Sequence, residues 1–428
     1  MLVFSARPLD GGARRRSPEL KENDVPNLAS ILTDTAARLP GRPSLRIGES
    51  VMTYGELDQL SAHAAGLLAS RGISPGDRVA VLLPDIPTVP ALYYGILRLG
   101  AVAVPMNPLL GTGEIAHQLA DSGARLFFAF GYEDILARAT EGAGTAGVEI
   151  VPVNTGSFRE LLAAAEPRHE VADKGDDDAA VILYTSGTTG APKGAVLSHA
   201  TMLSSAHAAG AVLSPQESDA IFGGLPLFSG IGQTLVLNAA VLAGASISML
   251  PRFEPGTALQ IMDRDRVSIF AGTPAMYAAM LEHPALGETD TSTVRWGISS
   301  TAPLPPESME GFETVFGAQL LEAYGLSEAS GLVSFDSPVP ERHPGSAGKP
   351  VPGMEVRIAD TAGNDVPRGE EGELFTRGDG LMLGYWNDPQ ATAAAMPDGW
   401  LRTGDRARFD EQGNIYLTGG VSETRGPV

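Results

Sequence analysis

Eleven consecutive residues, Tyr184-Thr-Ser-Gly-Thr-Thr-Gly-Ala-Pro-Lys-Gly194, gather three glycines, four Ser/Thr hydroxyls and one lysine. Glycine lets a backbone approach an anion closely, hydroxyls and free N–H groups donate to it, and a lysine ammonium adds a point charge. Such a loop suits a triphosphate, with Thr185, Ser186, Gly187, Thr188, Thr189, Gly190 and Lys193 as its contacts. A Gly/Thr-rich surface turn would share this composition. The run is not a Walker A loop, because Gly194 rather than Ser or Thr follows Lys193 and the glycine spacing differs. Ahead of it, Ala179-Ala-Val-Ile-Leu183 is apolar throughout and predicts a buried strand that holds one end of the loop.

The run resembles the phosphate-binding signature of the adenylate-forming superfamily, which comprises acyl-CoA synthetases, luciferases and the adenylation domains of peptide synthetases. Further segments extend the resemblance. In Leu225-Pro-Leu-Phe-Ser-Gly-Ile-Gly232 an aromatic ring followed by glycines can wall an apolar pocket. The resemblance gives Phe228, Ser229 and Gly230 to the acid substrate, with Ser229 where acyl-CoA synthetases usually carry histidine. Gly297-Ile-Ser-Ser-Thr-Ala-Pro-Leu304 has Ser300 and Thr301 where the family usually shows paired glycines. Two β-hydroxyls there narrow the site and add polar groups, so a compact or oxygenated acid is expected. Ser300 and Thr301 are then substrate contacts, and Thr301 with Ala302 adenine-side contacts.

Ala323-Tyr-Gly-Leu-Ser-Glu328 is similar to the family's Tyr-Gly-x-Thr-Glu. It implies Ala323 beside the acid, Tyr324 and Gly325 against adenine, Ser327 at the α-phosphate and Glu328 as a ligand of Mg²⁺, a hard cation suited to carboxylate. In Trp400-Leu-Arg-Thr-Gly-Asp405 the Asp405 carboxylate is expected to accept from both ribose hydroxyls. The resemblance gives catalytic roles to Thr185, Lys193 and Glu328. Adenylation domains of peptide synthetases place an aspartate beside the pocket for the α-ammonium group. No acidic residue lies between Phe222 and Gln233 here, so a neutral-tailed acid, aliphatic or aromatic, is expected instead of an amino acid.

These segments need a scaffold, and the hydropathy pattern supplies an α/β one. Thr53 and Glu56 form a capping-box pattern at the start of a helix. Apolar runs after Pro75-Gly-Asp and at Ala101 to Pro105 alternate with a helical stretch from Pro90 to Leu99, which argues for a parallel sheet. A second α/β series has strand candidates at 220–222, 246–249, 268–271 and 295–298. Beyond Pro338, short strands at 355–358 and 372–376 between Gly/Pro/Asp turns predict a small antiparallel, barrel-like β unit. The expected organisation is a disordered leader (1–24), a first α/β subdomain (25–172), a second carrying the phosphate loop (173–337), a β subdomain (338–418) and a truncated hinge (419–428). Gly76-Asp-Arg-Val-Ala, Gly100 to Asn107 and Asp121-Ser-Gly-Ala124 resemble landmarks of the superfamily's first subdomain.

Composition narrows the partners. A net charge of −21 opposes nucleic-acid binding and an anionic membrane surface, both of which need a basic face. There is no cysteine, so disulfides, thiolate metal sites and a cysteine nucleophile are excluded and any thioester must form on a partner thiol. No stretch is long and uncharged enough to span a bilayer. A cytoplasmic location is expected.

The resemblance implies ATP, Mg²⁺ and CoA, or another thiol acceptor, as the cofactor set. In the family a carboxylate attacks the α-phosphorus of ATP to give acyl-AMP and pyrophosphate, and a thiol then expels AMP. After Tyr416-Leu-Thr-Gly419 the family continues into a hinge and a small C-terminal domain bearing a lysine that promotes adenylation. That domain is expected to be absent here and supplied, for thioester transfer, by another part or a partner in trans. The alternative reading is a non-catalytic module that holds acyl-AMP or AMP for a partner enzyme.

Overall fold

A computed structural model describes residues 27–154, 156–185, 191–336 and 343–420. Its described residues form two large mixed sheets and one small antiparallel sheet. The seven-stranded sheet runs, edge to edge, through Gly384–Tyr385, Gly194–Ser198, Ala179–Tyr184, Val102–Pro105, Arg78–Leu82, Leu126–Phe130 and Glu149–Val153. Its last five strands are parallel, and the last four of them are each followed by a helix, the connection that parallel pairing needs. Such strands are buried on both faces, which explains their unbroken apolar character. Val79 to Leu82 and Ala180 to Leu183 are all buried.

The nine-stranded sheet carries the second series, with Gln319–Tyr324, Trp296–Ser299, Ile269–Gly272, Ala220–Gly223 and Ser246–Met249 parallel at its centre. Strands Pro43–Ile47 and Ser50–Thr53 complete one edge, the first pairing parallel to Ser246–Met249. Each large sheet therefore draws strands from both sides of residue 172. The β unit is an open four-stranded antiparallel sheet made of Met354–Ala359, Gly372–Gly378, Leu401–Phe409 and Ile415–Gly420.

Local chemistry fixes several elements as expected. Helix Tyr54–Ser70 begins at a capping box in which Thr53 Oγ1 accepts from Glu56 N–H at 3.2 Å and Glu56 Oε2 accepts from Thr53 N–H at 2.7 Å. Beneath the nine-stranded sheet, Phe222, Phe270, Tyr277, Phe312 and Phe316 form a continuous aromatic column with centroid spacings of 4.3–5.3 Å. Buried aromatic pairs of this kind add about 0.5–1.5 kcal/mol each beyond area burial. Tyr277 also accepts from Ile298 N–H at 2.9 Å and its hydroxyl lies 2.7 Å from Phe270 O. The column thus locks two adjacent strands, and one of them, Trp296–Ser299, leads directly into Ser300 and Thr301. No helix among the described residues is long and apolar enough to cross a membrane.

Candidate active site

A cavity of about 430 Å³ opens where strands of both large sheets end. Val102–Pro105 and Ala179–Tyr184 reach it from one sheet, and Trp296–Ser299 and Gln319–Tyr324 from the other. The carboxyl ends of parallel strands are where open α/β sheets bind ligands, because loops rather than continuing strands fill that edge. Thr185, Phe228, Ser229, Gly230, Ser300, Thr301, Ala302, Ala323, Tyr324, Gly325, Ser327 and Glu328 all line this cavity, so one concave surface collects four segments spread over some 140 positions.

Two candidates do not line it. Lys193 is exposed and follows the lining residue Pro192. Asp405 is fully buried, and its Oδ2 accepts from the Tyr324 hydroxyl at 2.6 Å. It therefore meets the cavity through the tyrosine that walls it. Ser186, Gly187, Thr188, Thr189 and Gly190 lie outside the described residues.

The acid side is less polar than its sequence suggests. Ser229 Oγ donates to Pro226 O at 2.7 Å and accepts from Gly232 N–H at 3.2 Å, closing a turn at the head of the next helix. Ser300 Oγ donates to Ala323 O at 2.7 Å. Both protons are held by backbone carbonyls, which leaves Phe228 and Ile231 to set the character of this wall. Close backbone approach explains the glycines here. A Cβ on Gly325 would sit 2.0 Å from Gly331 O, and one on Gly331, whose φ is +83°, 2.1 Å from Ile231 N. Thr301 holds a φ of +78°, a left-handed conformation that a β-branched residue adopts only under strain.

Phe228 is set from behind by Asp85, whose carboxylate accepts the Leu227 N–H at 3.1 Å. Burial against the surrounding chain pushes the Asp85 carboxyl up to about 7, and the Leu227 N–H pulls the other way. Tyr184 at the loop stem donates to Asp121 Oδ2 at 2.6 Å; burial, followed by that carboxylate, raises its phenol above the usual range.

Glu328 suits a metal ligand. It is buried in a short 3₁₀ turn, Ser327–Ala329, its Oε1 accepts from the Tyr385 hydroxyl at 2.8 Å, and its Oε2 is buried without a hydrogen-bond partner among the described residues. No cluster of three or more His, Asp or Glu side chains stands ready for a cation among those residues. One carboxylate with substrate phosphates and water is the usual environment of Mg²⁺, so the donor set fits that ion.

The sequence pattern of the AMP-binding enzyme family matches residues 32–386. The chain belongs to the AMP-binding enzyme family. Over 440 residues this AMP-binding enzyme is 32% identical to a long-chain-fatty-acid–CoA ligase of Bacillus subtilis (strain 168), a match spanning 92% of this chain and 78% of the relative. It is 33% identical to feruloyl-CoA synthase of Amycolatopsis sp, across 88% of this chain and 75% of that protein. The solved structure of the anthranilate CoA ligase AuaEII in complex with anthranoyl-AMP matches with a TM-score of 0.89 at 26% identity, over 95% of this chain and 80% of that one. The inhibitor-bound N-terminal domain of FACL13 from Mycobacterium tuberculosis matches with a TM-score of 0.86 at 29% identity, over 92% of this chain and all of that one. The AMP-binding enzyme is an adenylate-forming ligase of the acyl-CoA ligase type.

Sequence reasoning missed two parts of this site. Leu110, Glu114 and Gln118 line the cavity at four-residue intervals, a stripe down the helix Thr112–Ser122 and the turn before it. Polar side chains at that spacing were the available signal, and Gln118 Oε1 is buried without a hydrogen-bond partner among the described residues. Tyr385 was the other, and a two-residue strand carries no periodic signal at all.

Proposed function

We propose that this chain activates a carboxylic acid with ATP, forming acyl-AMP and releasing pyrophosphate, for later transfer of the acyl group to the thiol of CoA. The observation that carries the reading is the single cavity joining the loop stem at Thr185, the Thr301-Ala302 and Tyr324-Gly325 walls, and the apolar wall at Phe228. The match to a ligase with anthranoyl-AMP bound supports it.

In this reading Tyr324 stacks on adenine, and the buried Asp405 acts on the ribose side through Tyr324, whose hydroxyl it holds. Ser327 and Thr185 donate to phosphate oxygens, and Lys193 supplies a cation to the departing pyrophosphate. Glu328 would hold Mg²⁺, which when bound adds charge stabilisation at the phosphates. The acid carboxylate attacks the α-phosphorus while its tail lies against Phe228, Gly230 and Ile231. Fixed donors aimed at developing charge are the main catalytic device such a site offers.

The absence of an acidic residue between Phe222 and Gln233 supports a neutral tail, aliphatic or aromatic, and the Ser229 and Ser300 protons held by backbone carbonyls agree with it. In the second step a thiol sulfur attacks the acyl carbon, AMP leaves and the thiol proton is released. We assign that step to this cavity together with a C-terminal domain, in the same polypeptide or in trans.

The test is incubation of the purified chain with ATP, Mg²⁺ and a panel of carboxylic acids, with and without CoA, and mass spectrometry for acyl-AMP and acyl-CoA. Acyl-AMP from at least one neutral-tailed acid is expected. AMP binding with no acyl-AMP from any acid would overturn the catalytic reading in favour of a module that holds adenylate for a partner.

A further inference from the structure

Tyr385 belongs to none of the segments from which the site was read, yet it touches two of the charges the site depends on. Its ring lies 5.1 Å from Lys193 Nζ, and its hydroxyl donates to Glu328 Oε1 at 2.8 Å. One rigid side chain therefore meets both the loop lysine and the carboxylate that suits a cation.

The backbone leaves this ring little freedom. Strand Gly384–Tyr385 pairs antiparallel with Gly194–Ser198, setting Tyr385 opposite Ala195, two residues beyond Lys193. Leu383 N–H donates to Val196 O at 2.8 Å and Trp386 N–H to Gly194 O at 2.7 Å, so the ladder is continued on both sides. Tyr385 N–H donates to Thr392 Oγ1 at 2.9 Å, and Trp386 Nε1 donates to Asp121 O at 3.0 Å. Glu328 is tied to the same stretch, because Met382 N–H donates to Glu328 O at 2.8 Å.

We propose that Tyr385 is a positioning residue that sets Lys193 and Glu328 relative to each other, its hydroxyl orienting the Glu328 carboxylate and its ring face holding the Lys193 ammonium. The inference rests on the adenylating reading of the site for its ligands. A phenol donates one hydrogen bond, and giving it to Oε1 fixes the carboxylate rotation and leaves Oε2 as the oxygen for a cation. A ring face attracts an ammonium within about 6 Å of its centroid, so the lysine is held near the loop stem before any phosphate arrives. Orienting groups of this kind around a metal ligand change metal affinity about 10–100-fold when removed.

The two contacts separate by substitution. Tyr385→Phe keeps the ring and loses the hydroxyl, whereas Tyr385→Leu loses both. Calorimetric titration with ATP and with pyrophosphate, across a Mg²⁺ series and in EDTA, needs no turnover. Tyr385→Phe should raise the Mg²⁺ concentration for half-maximal enhancement of ATP binding about tenfold and leave pyrophosphate binding in EDTA unchanged. Tyr385→Leu should add a loss of about three- to tenfold in that metal-free pyrophosphate affinity. Glu328→Gln should reproduce the Mg²⁺ shift, and Tyr385→Phe in a Glu328→Gln background should add nothing to it.

A Mg²⁺ dependence unchanged in Tyr385→Phe would overturn the proposal. So would equal losses for every ligand, with and without metal, in both variants, since that is the mark of a general folding defect. Wild-type chain that binds ATP with this Mg²⁺ dependence but forms no acyl-AMP would overturn the catalytic reading and still support the positioning role.

Discussion

Thr301 offers a test in which stability and selectivity move together. Its φ of +78° puts Cβ in a region that costs a non-glycine residue about 1–3 kcal/mol. Thr301→Gly removes that cost and adds about 0.5–1 kcal/mol of backbone entropy lost on folding. The balance favours the variant by up to about 2.5 kcal/mol, a rise of up to about 3 °C in melting temperature for a chain of this size. Thr301→Ala keeps Cβ and with it most of the strain, so it should gain little. The same Thr301→Gly change removes a side chain that lines the cavity and should shift the acid panel toward bulkier tails. The assays are thermal melting of the three proteins side by side and competition between a small and a bulky acid for acyl-AMP formation. Equal stabilisation by alanine and glycine would refute the reasoning, because it would place the cost in the γ-atoms instead of the backbone. A lower melting temperature for glycine would refute it as well.

Lys193→Ala should weaken ATP and pyrophosphate binding about 10–100-fold while AMP binding changes little, since a charge-assisted contact to the outer phosphates contributes about 1.5–3 kcal/mol. Calorimetry with the three ligands reads this, and equal loss for all three would remove the assignment. Asp405→Ala should lower AMP affinity at least about tenfold, and retained affinity would refute a ribose role. Asp85→Asn should raise the melting temperature, and by more at pH 8 than at pH 5. The folded-state carboxyl, at about 7, lies above its ordinary value, so the folded chain holds that proton more tightly and wild-type stability falls as pH rises from about 4 to 7. The neutral amide escapes that loss. A stabilisation independent of pH would point to a cause other than ionisation.

The parts of this molecule legible in its sequence are those governed by local rules. Ser246–Met249 was visible as a short strand candidate, the capping box at Thr53 as a pair of side chains three apart, and the strand before the loop as five consecutive apolar residues. Partnership between distant strands was not visible. Nothing in Pro43–Ile47 says that it pairs with Ser246–Met249, because register across two hundred positions is set by tertiary packing and not by composition. The site divides the same way. Motif residues such as Tyr324 and Glu328 stood out by type and order, whereas the roles of Ser229 and Ser300 depended on which carbonyl each hydroxyl met, and only coordinates decide that.

The pairing of Gly384–Tyr385 with Gly194–Ser198 also bears on synthesis. The ribosome adds about 5–20 residues per second, so the strand beside the loop waits about 10–40 s for its partner to be made. During that interval the Gly194–Ser198 edge, buried and largely apolar in the finished protein, has open backbone N–H and C=O groups on one side. Arrest before residue 384 would leave that edge unpaired and Glu328 without the Tyr385 hydroxyl that it accepts from. Pausing or slow codons in this stretch should therefore lower soluble yield more than the same pauses placed after it.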